Sequence, residues 1–360
     1  MAVVKPFRAL RYDTEHAGPL EELVAPPYDV IGPEARERYL HRNPYNVVHL
    51  TLPDAEEEAG RLFREWRDSA ILVPEERAFW VLTQDYIGPD GVARSRTGLV
   101  ASLGVESYRT GAVLPHEQTH EGPKEGRLRL LREVRAQLEP IFLLYEGSAP
   151  FEPPGDRPEI EVEGARLWRL ADEGIGESFS DRRLLIADGH HRYETAVAYH
   201  EEAGTAESAF TFAVLVSLED PGLTIFPTHR IFRELPARGA LAGERRADPE
   251  SALRELGELS RDRAAVVVYD GETQLAVDGA GELDVRLVDR LGQDGLTYTP
   301  DWRAAVRAVD EGEAALAVLM RPLRVEDVFA VAARGETMPQ KSTYFYPKLI
   351  SGLLFHPVER

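Results

Sequence analysis

Four apolar residues, Leu184-Leu185-Ile186-Ala187, run directly into Asp188-Gly189-His190-His191-Arg192. The apolar run predicts a strand. The residues after it predict a helix, with Tyr193, Ala196, Val197 and His200 spaced to pack one face inward. Gly189 allows a tight turn or the close approach of a ligand. His190, His191 and Arg192 then fall in or beside the first helical turn, where unpaired amides and the positive end of the helix dipole gather. An arginine and two imidazoles there suit an anion, phosphate above all. Asp188 is expected either to cap the helix or to hold a Mg²⁺ ion that bridges phosphate oxygens. On spacing alone, a capped helix carrying solvated histidines is the plain alternative.

A second constellation is His116-Glu117-Gln118-Thr119-His120, a literal HExxH. That pattern holds zinc when one helix puts both histidines on one face with the glutamate as base. Pro115 precedes it, Gly122-Pro123 follows it, and no apolar helix face backs it, so LPHEQTHEGPKEG reads as a loop. A zinc-dependent hydrolase built on residues 116–120 stays as a lesser alternative, and His116 and Glu117 could instead meet substrate or Mg²⁺. No Walker A loop or Gly-x-Ser-x-Gly elbow is present. Gly174-Ile175-Gly176 lacks the third glycine of a dinucleotide fingerprint.

The elements that must position these groups read as mixed α/β. Helices are predicted from Pro33 through Tyr39, over 55–70 with Leu62, Phe63, Trp66 and Ala70 on one stripe, and over GRLRLLREVRAQLE at 126–139. AFWVLTQDYI and VARSRTGLVASLGV predict a hairpin across Gly88-Pro89-Asp90-Gly91, and IFLLYE and AFTFAVLVSLED predict buried strands. From about residue 240, charged helical pieces alternate with short strands. The expected organisation is a core over 1–235, a smaller α/β subdomain or insertion over 236–337, and a polar-aromatic site loop over 338–360 that returns to the core.

Charge limits the partners. Lys and Arg number 42 against 62 Asp and Glu, a net charge of −20, which disfavours nucleic acid and anionic membranes. The absence of cysteine excludes disulfides, Cys-ligated metals and Cys nucleophiles. MAVVKPFRALRYDTEH does not read as a signal peptide and no 18-residue apolar run exists, so a cytoplasmic protein is expected. Hydrophobic residues at 43% over 360 positions allow a sizeable core.

ADGHHR before a helix resembles the phosphate-binding signature of the ParB/sulfiredoxin superfamily. VAPPYDVI at 24–31, NPYNVVHL at 43–50, HEQT at 116–119, PKEGRL at 123–128, EPIF at 139–142, PTHR at 227–230 and MPQKSTYFYPK at 338–348 resemble, in order, the family known as domain of unknown function 1015. The resemblance implies a ParB/sulfiredoxin-like core. It also implies kinase chemistry, since relatives in the superfamily include kinases that phosphorylate free L-serine with a nucleotide or pyrophosphate as donor.

Such chemistry requires charge neutralisation, positioning and a group to take the hydroxyl proton. Gly189, His190, His191 and Arg192 would hold phosphate, with Lys341 and Ser342 as a further hook; Lys348 reads either as a second hook or, slightly favoured, as a solvated loop residue. Asp29, after the rigid Pro26-Pro27 bend, is the first candidate base and Glu117 the second; Asp188 and His191 complete the catalytic set. His116, His229, Arg230, Lys124 and Arg127 are expected on the substrate side, the forked donors of Arg230 suiting a second phosphate or a carboxylate. The expected function is phosphoryl transfer to a small hydroxyl metabolite, with Mg²⁺ as cofactor. The main alternative is a non-catalytic nucleotide- or phosphate-binding regulator.

Overall fold

The structure, a computed structural model, describes residues 2–117, 121–171, 174–236, 241–280, 283–292, 295–339 and 341–359. The expected hairpin forms: Leu72–Ile87 and Ala93–Gly104 pair antiparallel, from Trp80 opposite Val100 to Ile87 opposite Ala93. Gly91 turns the corner at φ +75°, a conformation that costs a glycine little. These strands are the middle of a mixed sheet. Its order is Val113–Leu114, Leu184–Asp188, Ile141–Tyr145, Phe210–Ser217, Ala93–Gly104, Leu72–Ile87, Ala165–Leu170 and Ile160–Val162. Val113–Leu114 with Leu184–Asp188, and Ile141–Tyr145 with Phe210–Ser217, are parallel; the other neighbours along this order run antiparallel.

Both faces of the sheet are covered, which is why Ile141–Tyr145 is buried throughout rather than alternating. On one face Leu143, Tyr145, Leu184 and Ile186 pack with Phe179 and with Tyr193 of the helix His190–Ala203. On the other, Phe142, Leu144, Leu185 and Ala187 join a core that continues into a second sheet. The helix Glu121–Val134 packs against both Glu56–Asp68 and His190–Ala203.

Three helix boundaries differ from expectation. The segment read as a loop through residue 126 is helical from Glu121, with Pro123 in the opening turn. A proline is tolerated there because first-turn amides have no intrahelical acceptor. The same helix stops at Val134 instead of reaching Glu139. Arg135, at φ +56°, breaks it and lets Ala136–Gln137 pair with His356–Pro357. The helix expected over 55–70 ends at Asp68, with Ala70 at φ +57°.

The second sheet has the order Glu244–Arg245, Thr273–Ala280, Arg263–Tyr269, Leu316–Leu319, His229–Phe232 and Leu296–Thr299, antiparallel throughout. One face carries Ala265, Val267, Ala317 and Leu319 under the helices Pro249–Glu258 and Trp302–Asp310. The other carries Val266, Val318 and Phe232 and shares its core with the main sheet. The chain is thus a mixed α/β protein. Its C-terminal segment closes the structure: Tyr344–Tyr346 pairs with Thr224–Phe226, and Ser351 bonds Ala25 in both directions, laying this segment beside the Pro26-Pro27 loop. Among the described residues, no helix is long and apolar enough to cross a membrane.

Candidate active site

The strand Leu184–Asp188 carries a bulge between Ile186 and Asp188, so Asp188 falls opposite Phe142. Bulges re-aim side chains, and this one delivers Asp188 to the end of the sheet. Gly189 follows at φ +94° as the residue before the helix His190–Ala203. A Cβ on Gly189 would lie 3.0 Å from Arg192 Nε, so glycine is needed both for the turn and for the arginine folded over it. Neither expected role of Asp188 matches its placement. The helix start has no side-chain cap. One Asp188 oxygen accepts from Lys348 Nζ at 2.8 Å and the other from Arg192 Nη2 at 2.7 Å. Burial works to raise its pKa, but Lys348 and Arg192 overcome that and hold it well below the usual carboxylate range. With both oxygens taken by cations, Asp188 as placed does not fit a resident Mg²⁺ ion. Among the described residues, no group of three or more His, Asp or Glu side chains is placed to hold a metal.

The expected phosphate residues separate into different environments. Arg192 is buried, its guanidinium donating to the Pro140 carbonyl as well as to Asp188. His190 also turns inward. Its Nε2 accepts the His116 amide at 3.3 Å and its ring meets the His116 ring edge-on. Burial, reinforced by His116, pushes its pKa down to about 3, so it is neutral at physiological pH. His191 is half-buried on the same turn. Lys348, whose sequence reading leaned only slightly to a solvated loop residue over a second phosphate hook, stands at the centre: beyond its pair with Asp188, its ammonium lies 5.6 Å from the centre of the Tyr344 ring. Burial works to lower its pKa, but Asp188 raises it, so the ammonium stays charged. Ser342 is buried and donates its hydroxyl to the Pro339 carbonyl, while Lys341 is exposed at φ +55°.

Asp29 lies in the short 3₁₀ turn Tyr28–Val30 and is exposed. Its turn lies beside Arg192: the Tyr28 amide bonds Glu139, whose neighbour Pro140 accepts from Arg192, and the Asp29 charge bears on Arg192, Lys348 and Tyr344. The turn is held by two groups. The Tyr28 amide donates to Glu139 Oε1 at 2.9 Å, and the Arg127 guanidinium stacks over the Tyr28 ring at 3.9 Å while donating to Thr51 O. Glu139, which sequence reasoning passed over although it stands in EPIF, also accepts the Ser351 hydroxyl at 2.7 Å. It is buried, and burial raises its pKa against the pull of Arg192 and Arg127. Lys124 points elsewhere, toward Glu194 at 3.7 Å.

The HEQTH motif does not open on a helix. Glu117 forms a parallel bridge with Met338, and the His116 carbonyl accepts the Met338 amide at 2.8 Å. Both ring nitrogens of His116 are engaged, Nδ1 with the Ile186 carbonyl at 2.6 Å and Nε2 with the Thr343 hydroxyl at 2.9 Å. With both nitrogens engaged by protein groups and the ring buried, His116 is not presented to a metal; His120 lies outside the described residues. Glu117 receives the Thr343 hydroxyl at 3.4 Å. Burial works to raise its pKa, but His116, then His190 and Lys341, bring it to about 2.

His229 and Arg230 do not act as a pair. Strand alternation sends their side chains to opposite faces. His229 is buried, accepts the Met320 amide at Nδ1 at 3.0 Å, and has a pKa lowered to about 4 by burial. Arg230 shares its face with Val318 and Phe232, the face that meets the main sheet.

A mixed α/β protein with a cation-lined helix start is the class these features define. The chain belongs to the family described as Protein of unknown function (DUF1015), whose match spans residues 4–278. The 338–348 segment lies beyond that span. Among solved structures, the chain is similar to a free serine kinase in complex with AMP, at 17% identity and TM-score 0.41, over 71% of this chain and 92% of that one. A mutant free serine kinase in complex with ADP aligns at 16% identity and TM-score 0.42, over 71% and 92%. A conserved hypothetical protein from Pyrococcus furiosus aligns at 16% and 0.37, over 71% and 95%. No protein of curated function matches the chain.

Proposed function

We propose that this protein is a phosphotransferase that moves a phosphoryl group from a nucleotide or pyrophosphate to the hydroxyl of a small metabolite, free L-serine first among them. One observation carries the proposal: an uncapped helix start at Gly189–His190 beside the charged Lys348, with the exposed Asp29 on a turn bonded to Glu139, next to the Pro140 that holds Arg192. The first amides of a helix and a lysine ammonium neutralise phosphate oxygens, and a carboxylate near them can receive a proton.

In this reading the donor's terminal phosphate sits on the helix start and Lys348. The acceptor oxygen attacks phosphorus, the bond from phosphorus to the donor's leaving phosphate oxygen breaks, and the hydroxyl proton passes to Asp29. Asp188 and Arg192 act behind the site: Asp188 orients Lys348, and Arg192 holds Asp188 and the helix start. Glu139 and Arg127 position the Asp29 turn. The soluble, cytoplasmic location expected from the sequence suits a metabolic kinase.

The test is direct detection of O-phosphoserine after incubation with L-serine, Mg²⁺ and, in turn, ATP, ADP and pyrophosphate. Product with one donor is expected. Asp29→Asn should cut turnover by about 10²–10⁴-fold, the range for a lost general base, while donor binding survives. No phosphoserine with any donor from folded protein would overturn the serine kinase proposal, and unchanged turnover in Asp29→Asn would overturn the base.

A further inference from the structure

The hairpin of the main sheet carries a clamp on the segment that holds Lys348. Gln84 and Arg96 face each other as register partners on its two strands, and both are buried. Arg96 Nη2 donates to Gln84 Oε1 at 2.6 Å and to the Pro347 carbonyl at 2.8 Å. Gln84 Nε2 donates to the Lys348 carbonyl at 3.2 Å. The amide orientation is forced, because a guanidinium only donates. Gln84 must turn its oxygen to Arg96, which leaves its amide protons for Lys348. Two consecutive carbonyls are thus gripped by side chains that stand 251 and 264 positions earlier.

Arg96 also reaches the other half of the charged pair. Its guanidinium stacks over the Phe142 ring at 4.5 Å, and Phe142 is the register partner of Asp188. Burial lowers the Arg96 pKa to about 10, so the guanidinium stays charged at neutral pH. One side chain therefore touches both the peptide that precedes Lys348 and the strand neighbour of Asp188.

The ends of this segment are fastened separately. Tyr344–Tyr346 pairs with Thr224–Phe226, while Ser351 donates to Glu139 and exchanges backbone bonds with Ala25. Between those ends, Gln84 and Arg96 hold the backbone at 347 and 348 itself. A lysine is a point charge on a flexible four-carbon stem, so where its backbone sits decides where its ammonium can reach.

We infer that Gln84 and Arg96 are positioning residues for Lys348: by gripping its carbonyl and the one before it, they set where its ammonium stands beside Asp188 and meets the donor's phosphate. The inference rests on the phosphotransferase reading for that phosphate. It adds two residues of the hairpin that act through Lys348 rather than on the donor.

The test uses the full chain, which contains four lysines, at positions 5, 124, 341 and 348. Labelling with ¹⁵N-lysine therefore gives an ammonium spectrum of at most four signals, and Lys348→Met assigns the one in question. Paired with Asp188, the Lys348 signal should stand apart from those of solvated lysines. Gln84→Met keeps the bulk and removes both bonds. It should move the Lys348 signal toward the solvated ones while Lys5 and Lys124 stay in place. Gln84→Glu keeps an acceptor for Arg96 and loses the donor to Lys348. It should move the signal in the same direction, and it covers the case in which Gln84→Met folds poorly. Donor binding, measured by calorimetry with ATP, ADP and pyrophosphate in turn, should weaken at least about tenfold in Gln84→Met, the low end for a lost bond to a charged group. In a Lys348→Met background the same substitution should change binding less than about twofold, because a residue that acts through Lys348 then has nothing to act on. A Lys348 signal unmoved by both Gln84 variants, donor binding unchanged in Gln84→Met, or the same loss with and without Lys348 would overturn the positioning role. A shifted signal in a protein that binds none of the three donors and makes no phosphoserine would keep the hold of Gln84 on Lys348 and overturn the phosphotransferase reading.

Discussion

His191-Arg192 opens a helix and His229-Arg230 opens a strand, and the two arginines end up in opposite states. Arg192 is saturated: a carboxylate four residues earlier and the Pro140 carbonyl take its donors. Arg230 is equally buried but bonds only a thioether and a phenol among the described residues, with the Asp289 charge also acting on it. A helix brings residues i and i+4 together, so Asp188 and Arg192 meet by local geometry. A strand sends neighbours to opposite faces, so Arg230 depends on whatever another sheet brings to it. The difference teaches that a His-Arg dipeptide says nothing about which cation is left for a ligand.

The comparison can be broken by removing each charge in turn. Arg192→Met should destabilise the fold by about 3–5 kcal/mol, the usual cost of stranding a buried partner. Urea unfolding would show it, and a loss below about 1 kcal/mol, within the range of ordinary surface substitutions, would mean Arg192 is not the structural cation described here. Two of the buried histidines sharpen the point from the side of pH. His190 and His229 have folded pKa values near 3 and 4, below the ordinary 6.5. Between those limits the unfolded chain binds the extra protons, so stability is complete above pH 6.5 and falls as pH drops. The loss across the window should reach about 5 kcal/mol for His190 and about 3 kcal/mol for His229. A urea midpoint unchanged from pH 7 to pH 4.5 would contradict their neutral burial.

Gly189→Ala tests the turn under the saturated arginine. A left-handed alanine and the close Arg192 Nε should together cost about 1–2 kcal/mol, read as a lowered melting temperature. The smallest effect is expected at the other arginine. Arg230→Met should leave the ligand-free protein within about 1 kcal/mol of the original, or stabilise it, because an under-partnered buried charge contributes little. A loss as large as that of Arg192→Met would erase the contrast.

Much of the local architecture was legible in advance. The hairpin across Gly88–Gly91, the buried strands and the strand–Gly–helix at 184–203 follow from apolar periodicity and turn residues, which act over a few neighbours. The helix Glu121–Val134 was misjudged at both ends for local reasons of another kind. A proline in the first turn reads as a breaker although it is tolerated there, and the left-handed Arg135 leaves no mark in composition. Glu139 was missed and Lys348 underweighted as site residues because their partners lie far away in sequence. Lys348 meets Asp188 across 160 positions and Glu139 meets Tyr28 across 111.

The sequence by itself determined the mixed α/β class, the family resemblance and the segments that carry polar chemistry, because periodicity and residue type are short-range properties. Only the tertiary structure decided which of those polar groups face one another. It turned His190 inward, split His229 from Arg230, and drew Lys348 onto Asp188. Strand direction, bulges and the return of a distant segment set those outcomes, since burial leaves a charged group in place only where chain far away in sequence supplies a partner or a ligand can.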